Sequence, residues 1–108
     1  MNPRFAIIPA EDILIALPFI SKLNEGSVSE EILKQRLLEM QEQHYQCLGV
    51  YDAHTLIGVC GMWFQTRHYA GKSCEVDHVI ISDDYRNQGI GKKTVSYTHL
   101  TLPTTPYV

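Results

Sequence analysis

The amino-acid sequence predicts one small α/β domain of the α+β kind, with an antiparallel hairpin among its strands. Three observations carry that prediction. Two helix-like segments precede residue 45, strand-like runs joined by short turns fill residues 45–82, and a glycine-containing turn then opens another helix. At 108 residues the chain has material for a single core.

Phe5-Ala6-Ile7-Ile8 is an apolar run closed by Pro9 and reads as the first strand. Glu11 and Asp12 follow at the start of an apolar segment reaching Leu23, where acidic residues favour the positive end of a helix. Pro18 kinks or splits that helix. Asn24-Glu25-Gly26 is a turn, and Ser27-Val28-Ser29-Glu30 has the S-x-x-E form of a capping box. From there to Gln43, Leu33, Leu37, Met40 and His44 recur at helical spacing, the mark of an amphipathic second helix.

The period then changes to that of strands. Tyr45 to Tyr51 is one, Asp52-Ala53-His54-Thr55 is a turn, and Leu56 to Thr66 completes an antiparallel hairpin. Arg67 to Lys72 is a loop, and Ser73 to Ser82 is a further strand. Asp83-Asp84-Tyr85 leads into the glycine turn, giving the order β-α-α-β-β-β-α.

Composition excludes several function classes. Apolar residues at 44% and charged residues at 19% are an ordinary globular mix. A formal charge of −3 lacks the basic footprint that nucleic-acid binding needs. The longest apolar run is interrupted by Pro18 and is too short to span a bilayer, so no membrane partner is expected. Cys47, Cys60 and Cys74 form an odd set without metal-ligand spacing, which suggests reduced thiols in a cytoplasm and no metal.

The last residues stand apart. All 9 basic and 12 acidic residues precede Val95, and residues 95–108 carry none. Their β-branched residues and prolines are poor material for continuing a helix. The stretch Val95 to Thr105 resembles a translated sequencing adapter, so residues 1–94 read as a partial domain and 95–108 as a non-native tail. The alternative is a genuine C-terminal strand.

The chemistry concentrates in Arg86-x-x-Gly89-x-Gly91. Glycines let backbone approach a ligand, and the first amides of a helix have no partner within it. The helix dipole and those amides both favour an anion, and Lys92 and Lys93 add positive charge. A Walker A loop would need glycine where Arg86 stands, and the dinucleotide fingerprint needs a third glycine that is missing.

Taken whole, Glu75 to Lys93 resembles motif A of the GCN5-related N-acetyltransferases (GNAT): an acidic residue on a hydrophobic strand, then V-x-P-x-x-[RQ]-x-x-G-x-[GA] opening a helix. Ile81 replaces the usual valine and Asp83 the usual proline. The resemblance implies the N-terminal part of an acyl-CoA N-acyltransferase fold, with a mixed, mostly antiparallel sheet, over residues 4–94. It also implies acetyl-CoA as donor, a small-molecule or protein amine as acceptor, and room for a homodimeric parent. Val79 and Ile81 would line the pantetheine arm. Arg86, Asn87, Gln88, Gly89, Ile90, Gly91 and Lys92 would hold the pyrophosphate. The family's later strands and its thiolate-protonating tyrosine are not matched, and Tyr97 and Tyr107 are not assigned that role.

By the same resemblance the amine must lose a proton before it attacks the thioester. Asp77 is the first candidate for the base, and Glu75, on the same face by alternation, is the reserve. His78 has a more suitable pKa but faces the other side by alternation, and is read as a packed histidine. Trp63 and Phe64 face opposite sides, one in the core and one beside the acceptor. Tyr69 is an acceptor-site candidate, while His44, His54 and the cysteines read as structural. Two rival readings remain: a non-catalytic acyl-CoA sensor, and an unrelated α/β interaction domain.

Overall fold

The computed structural model describes residues 2–69 and 71–101, and in it the strand-like runs pair in chain order. β1 (Arg4–Ile7), β2 (Tyr45–Asp52), β3 (Thr55–Arg67) and β4 (Gly71–Ile81) form one sheet in the order β1-β2-β3-β4. Every pairing among them is antiparallel. A two-residue connection, Ala53-His54, joins β2 to β3, with Ala53 in the left-handed region at φ 55.

The segment after Pro9 divides at Pro18, because proline has no amide to give a preceding turn. Ala10–Ala16 is a 3-10 helix, and α1 (Leu17–Asn24) then begins with Pro18 in its first turn. The capping-box reading needs correction. α2 (Glu30–Met40) is capped by Ser29, whose hydroxyl accepts the Ile32 amide at 3.3 Å. Ser27 instead donates its hydroxyl to the Asn24 carbonyl at 2.7 Å and closes the turn. Ser29 is extended (φ −63, ψ 150), the conformation a cap requires. The helix also stops at Met40 rather than Gln43.

α3 (Ile90–Thr101) continues through residues whose composition disfavours a helix, and no strand forms over 95–101. Packing overrides propensity here. Tyr97 stacks on Phe5 at 4.7 Å between centroids, and Thr98 is buried. Thr94 and Thr98 donate their hydroxyls to the carbonyls of Ile90 (2.8 Å) and Val95 (2.6 Å), so neither buried oxygen lacks a partner. Pro103, Pro106 and Tyr107 lie outside the described residues.

The sheet separates two layers. One face sets Tyr45, Cys47, Val59 and Ile80 against Ile13, Ala16 and Leu37 of the helical layer. The other packs Leu48, Cys60, Met62 and Cys74 with Val79 and Tyr97, while Val50 and Ile57 meet Ile90 of α3. Trp63 lies on the first face and Phe64 on the second. The cysteines are free and buried, and burial pushes the thiols of Cys47 and Cys60 up to about 11 and about 12. Among the described residues no helix is long and apolar enough to cross a membrane.

One irregularity in the sheet positions everything that follows. The β3–β4 register slips between Gly61 and Met62, so Gly61 faces His78 while Met62 faces Val76. Asp77 is the extra residue of a β-bulge.

Candidate functional site

β4 ends at Ile81, although the Ser82 amide still reaches the Ile57 carbonyl at 2.7 Å. Asp83–Tyr85 make one 3-10 turn, pinned to the β2–β3 hairpin by the Tyr85 hydroxyl, which donates to Asp52 Oδ2 at 2.9 Å. Arg86 is extended, and Asn87 (φ 66) and Gly89 (φ 72) are both left-handed. The Gly89 carbonyl accepts the Lys93 amide at 3.1 Å, so α3 starts immediately after Gly89. The amides of Ile90, Gly91 and Lys92 therefore occupy a first turn, where a helix supplies no acceptor and its dipole favours an anion.

The two glycines serve different ends. A Cβ on Gly89 would meet nothing within 4 Å, so its requirement is the positive φ. A Cβ on Gly91 would lie 3.9 Å from Val79 Cγ1, in ordinary contact. Gly91 is thus not demanded by the fold.

A cavity of 690 Å³ opens beside this turn, a volume within the range of about 300–1,000 Å³ usual for small-molecule sites. Of the binding residues predicted from sequence, Val79, Ile81, Arg86, Asn87, Gly89, Ile90, Gly91 and Lys92 line it, and Gln88 does not. The opposite wall is one that sequence reasoning missed: Lys22, Leu23 and Glu25 at the C-terminal end of α1. Lys22 forms an ion pair with Asp83, which also accepts Arg86 Nε at 3.0 Å. The hydrogen bond from Lys22 is the main reason the Asp83 carboxyl is held below its usual range. Asp83 stands where the motif usually has proline, and here it bridges two cations at the cavity's edge.

Asp77 and Glu75 lie farther along β4. The Asp77 carboxylate accepts the Trp63 indole N–H at 3.2 Å and sits 3.5 Å from His78 Nδ1. A bulge sets two successive residues against one partner, which turns Asp77 and His78 to the same side. Both line a second cavity, of 200 Å³, with Leu23 of α1 and Arg36 of α2. The expectation that His78 faces away from Asp77 is thereby corrected, because alternation holds only along an unbroken ladder. Glu75 pairs with Trp63 in register and is exposed, with Arg67 at 3.8 Å. It lines neither cavity. Tyr69 is 70% exposed at the far end of the β3–β4 hairpin.

The sequence model described as the Acetyltransferase (GNAT) family matches residues 14–98. No curated protein matches the chain by sequence. Solved structures share its fold. A Clostridium difficile protein described as a possible acetyltransferase superposes with TM-score 0.78 at 11% identity, over 92% of this chain and 70% of its own. The ribosomal-protein-alanine N-acetyltransferase of Brucella melitensis biovar Abortus gives 0.75 at 18% identity, over 91% and 70%. A GNAT family acetyltransferase from Staphylococcus aureus gives 0.71 at 20% identity, over 92% and 76%.

Proposed function

Because this chain belongs to the GNAT acetyltransferase family, a family of acyltransferases, we propose that it moves an acetyl group from acetyl-CoA to a primary amine of a small molecule or protein. One observation carries the reading. Every binding residue predicted from sequence except Gln88 lines a single cavity, with the first-turn residues of α3 among them. In this reading the first-turn amides, with Arg86 and Lys92, hold the pyrophosphate, and Val79 and Ile81 flank the pantetheine arm. The arm then runs along β4 toward Asp77.

A protonated amine has no lone pair, so a base must act before attack. Both carboxylates are exposed, but Asp77 fits the acid–base position better than Glu75, since it lines a cavity beside α1 and α2 and Glu75 lines neither cavity. The bulge also takes the inserted residue out of the regular ladder, leaving backbone donors to polarise the thioester carbonyl. No step of direct transfer calls for a metal. The reading places the enzyme in the cytoplasm and assigns turnover to a full-length parent whose native sequence departs from this one near Thr94. The 108-residue chain alone would turn over little.

Calorimetric titration with coenzyme A, followed by thiol release from acetyl-CoA with a panel of polyamines and amino acids, tests this in the full-length parent. Binding and turnover are expected. Tight binding without turnover on any amine would favour a sensor, and absence of binding would sink the acyl-CoA reading.

A further inference from the structure

Resting on that acyl-transfer reading, the structure assigns removal of the amine's proton to His78, seated by Gly61 and oriented by Asp77. Cys47, Gly61 and His78 form one cross-strand row over β2, β3 and β4. A Cβ built on Gly61 would fall 2.4 Å from His78 Cε1, 2.8 Å from Nε2 and 2.9 Å from Nδ1. Real Cβ atoms do not approach ring atoms so closely, so the imidazole lies in the space that a side chain at position 61 would fill. Glycine at that position is what allows the ring to rest against β3.

The ring's two nitrogens are set apart by their surroundings. Nδ1 faces Asp77 Oδ2 at 3.5 Å, and that oxygen is itself held by the Trp63 indole at 3.2 Å. A proton on Nδ1 is therefore favoured, which leaves the lone pair on Nε2. Nε2 is buried and has no hydrogen-bond partner among the described residues. A buried polar atom without a partner is unusual in a folded protein. His78 lines the cavity between α1, α2 and β4, and an N–H donor that reached the ring from there would supply one; an alkylammonium is such a donor.

The charged and titratable groups around the ring are few. Asp77 comes from its own strand and Arg36 from α2, while α1 presents Ile20, Leu23 and Asn24 to the cavity. β2 contributes Tyr45 and Cys47, whose hydroxyl and thiol burial pushes upward, so both stay protonated near neutrality. Burial holds His78 below its ordinary value, opposed by Asp77, so the ring is neutral and able to accept. An imidazole is ordinarily more basic than a carboxylate by about two to three pKa units, which suits it better to an amine. Asp77 then acts through His78 rather than on the substrate.

The step balances. An ammonium proton passes to Nε2, and the freed nitrogen lone pair attacks the thioester carbonyl carbon of acetyl-CoA. The C–N bond forms and the C–S bond breaks. The second proton leaving nitrogen ends on the departing sulfur, and His78 returns its own proton to water.

The test measures kcat and kcat/KM against pH, acetyl-CoA affinity and melting in the full-length enzyme carrying His78→Gln, Asp77→Asn or Gly61→Ala. His78→Gln is expected to lower kcat about 10²–10⁴-fold. It should also abolish the acid limb while leaving acetyl-CoA affinity unchanged. Asp77→Asn should keep that limb but move it to lower pH, because Asp77 raises His78. Gly61→Ala should lower kcat about tenfold or more with both partners intact, by displacing the ring, and added imidazole should restore part of the activity of His78→Ala. A His78→Gln enzyme with wild-type kcat and limb overturns the proposal. Should that variant fail to melt cooperatively, an Asp77→Asn profile superimposing on wild type overturns it instead. Loss of acetyl-CoA binding by the wild type overturns the acyl-transfer reading itself, an outcome separate from failure of the dyad.

Discussion

Substituting glutamate for Gly91 puts a carboxylate on the first turn of α3, beside Val79 and in the cavity proposed to hold the pyrophosphate. The fold should accept it. The new Cβ would lie 3.9 Å from Val79 Cγ1, in ordinary contact, and outside its own helical turn no other atom of the described residues comes within 4 Å. Removing a glycine from a helix favours folding by about 0.5–1 kcal/mol, and an acidic side chain at a helix start adds about 0.3–1 kcal/mol. The melting temperature should therefore hold or rise by a few degrees. Binding should fail for the opposite reason. A carboxylate about 5 Å from one pyrophosphate charge, at an effective dielectric of about 20, costs roughly 3 kcal/mol, or more than about a hundredfold in affinity. Gly91→Ala adds only the Cβ and should lose about tenfold or less by the same scale. Titration calorimetry with coenzyme A and a thermal melt on each variant decide the matter. A Gly91→Glu affinity equal to wild type would mean that the pyrophosphate sits elsewhere. Loss of the cooperative melt would refute the inference that Gly91 is free of structural duty.

Gly58→Ala should cost about 1–3 kcal/mol by chemical denaturation, because its Cβ would fall 2.8 Å from the Ile80 carbonyl oxygen, backbone that cannot move aside. Ser29→Ala should cost about 0.5–1 kcal/mol and Ser27→Ala only a few tenths, since Ser29 holds the cap; equal losses would restore the earlier capping box. Lys22→Ala should return the Asp83 carboxyl toward its ordinary range in an NMR titration, the Lys22 hydrogen bond being the first cause of its depression. His78 is held below its ordinary 6.5 by burial, so the unfolded chain takes up that proton first. Its contribution to stability is full above pH 6.5 and declines as pH falls through the window between 6.5 and the lower folded value. Denaturation midpoints from about pH 7 to about pH 5 should show that slope, reduced in His78→Gln.

Most of the fold was legible because it rests on local signals. Proline at position 18 divides the first helical segment whatever surrounds it, and the strand runs of residues 45–82 bound themselves with turns. What escaped the sequence depended on distant contacts. Ser27 and Ser29 carry the same hydroxyl, and only the path of the chain into α2 decides which one caps it. Residues 95–101 have poor helix propensity, and their helix follows from Phe5 lying ready to stack on Tyr97. Lys22 reaches Asp83 and the cavity of the glycine turn from 61 residues away, a proximity without a sequence signature.

The bulge at Asp77 is the point where reading by alternation fails and where Asp77 and His78 come to share one cavity. In an unbroken ladder His78 would follow Asp77 onto the opposite face, toward α3. One inserted residue turns both toward the helical layer, where Leu23 borders the small cavity they line as well as the large cavity of the glycine turn. The same slip sets His78 opposite Gly61, and that pairing needs glycine because the ring occupies the space of a side chain. Asp77, His78 and Gly61 are therefore coupled by one geometric event, and each of the three loses its local logic without it. A bulge interrupts hydrogen bonding and is kept where it re-aims side chains. Here it re-aims Asp77 and His78 to one side, along the strand whose last residues line the cavity of the glycine turn.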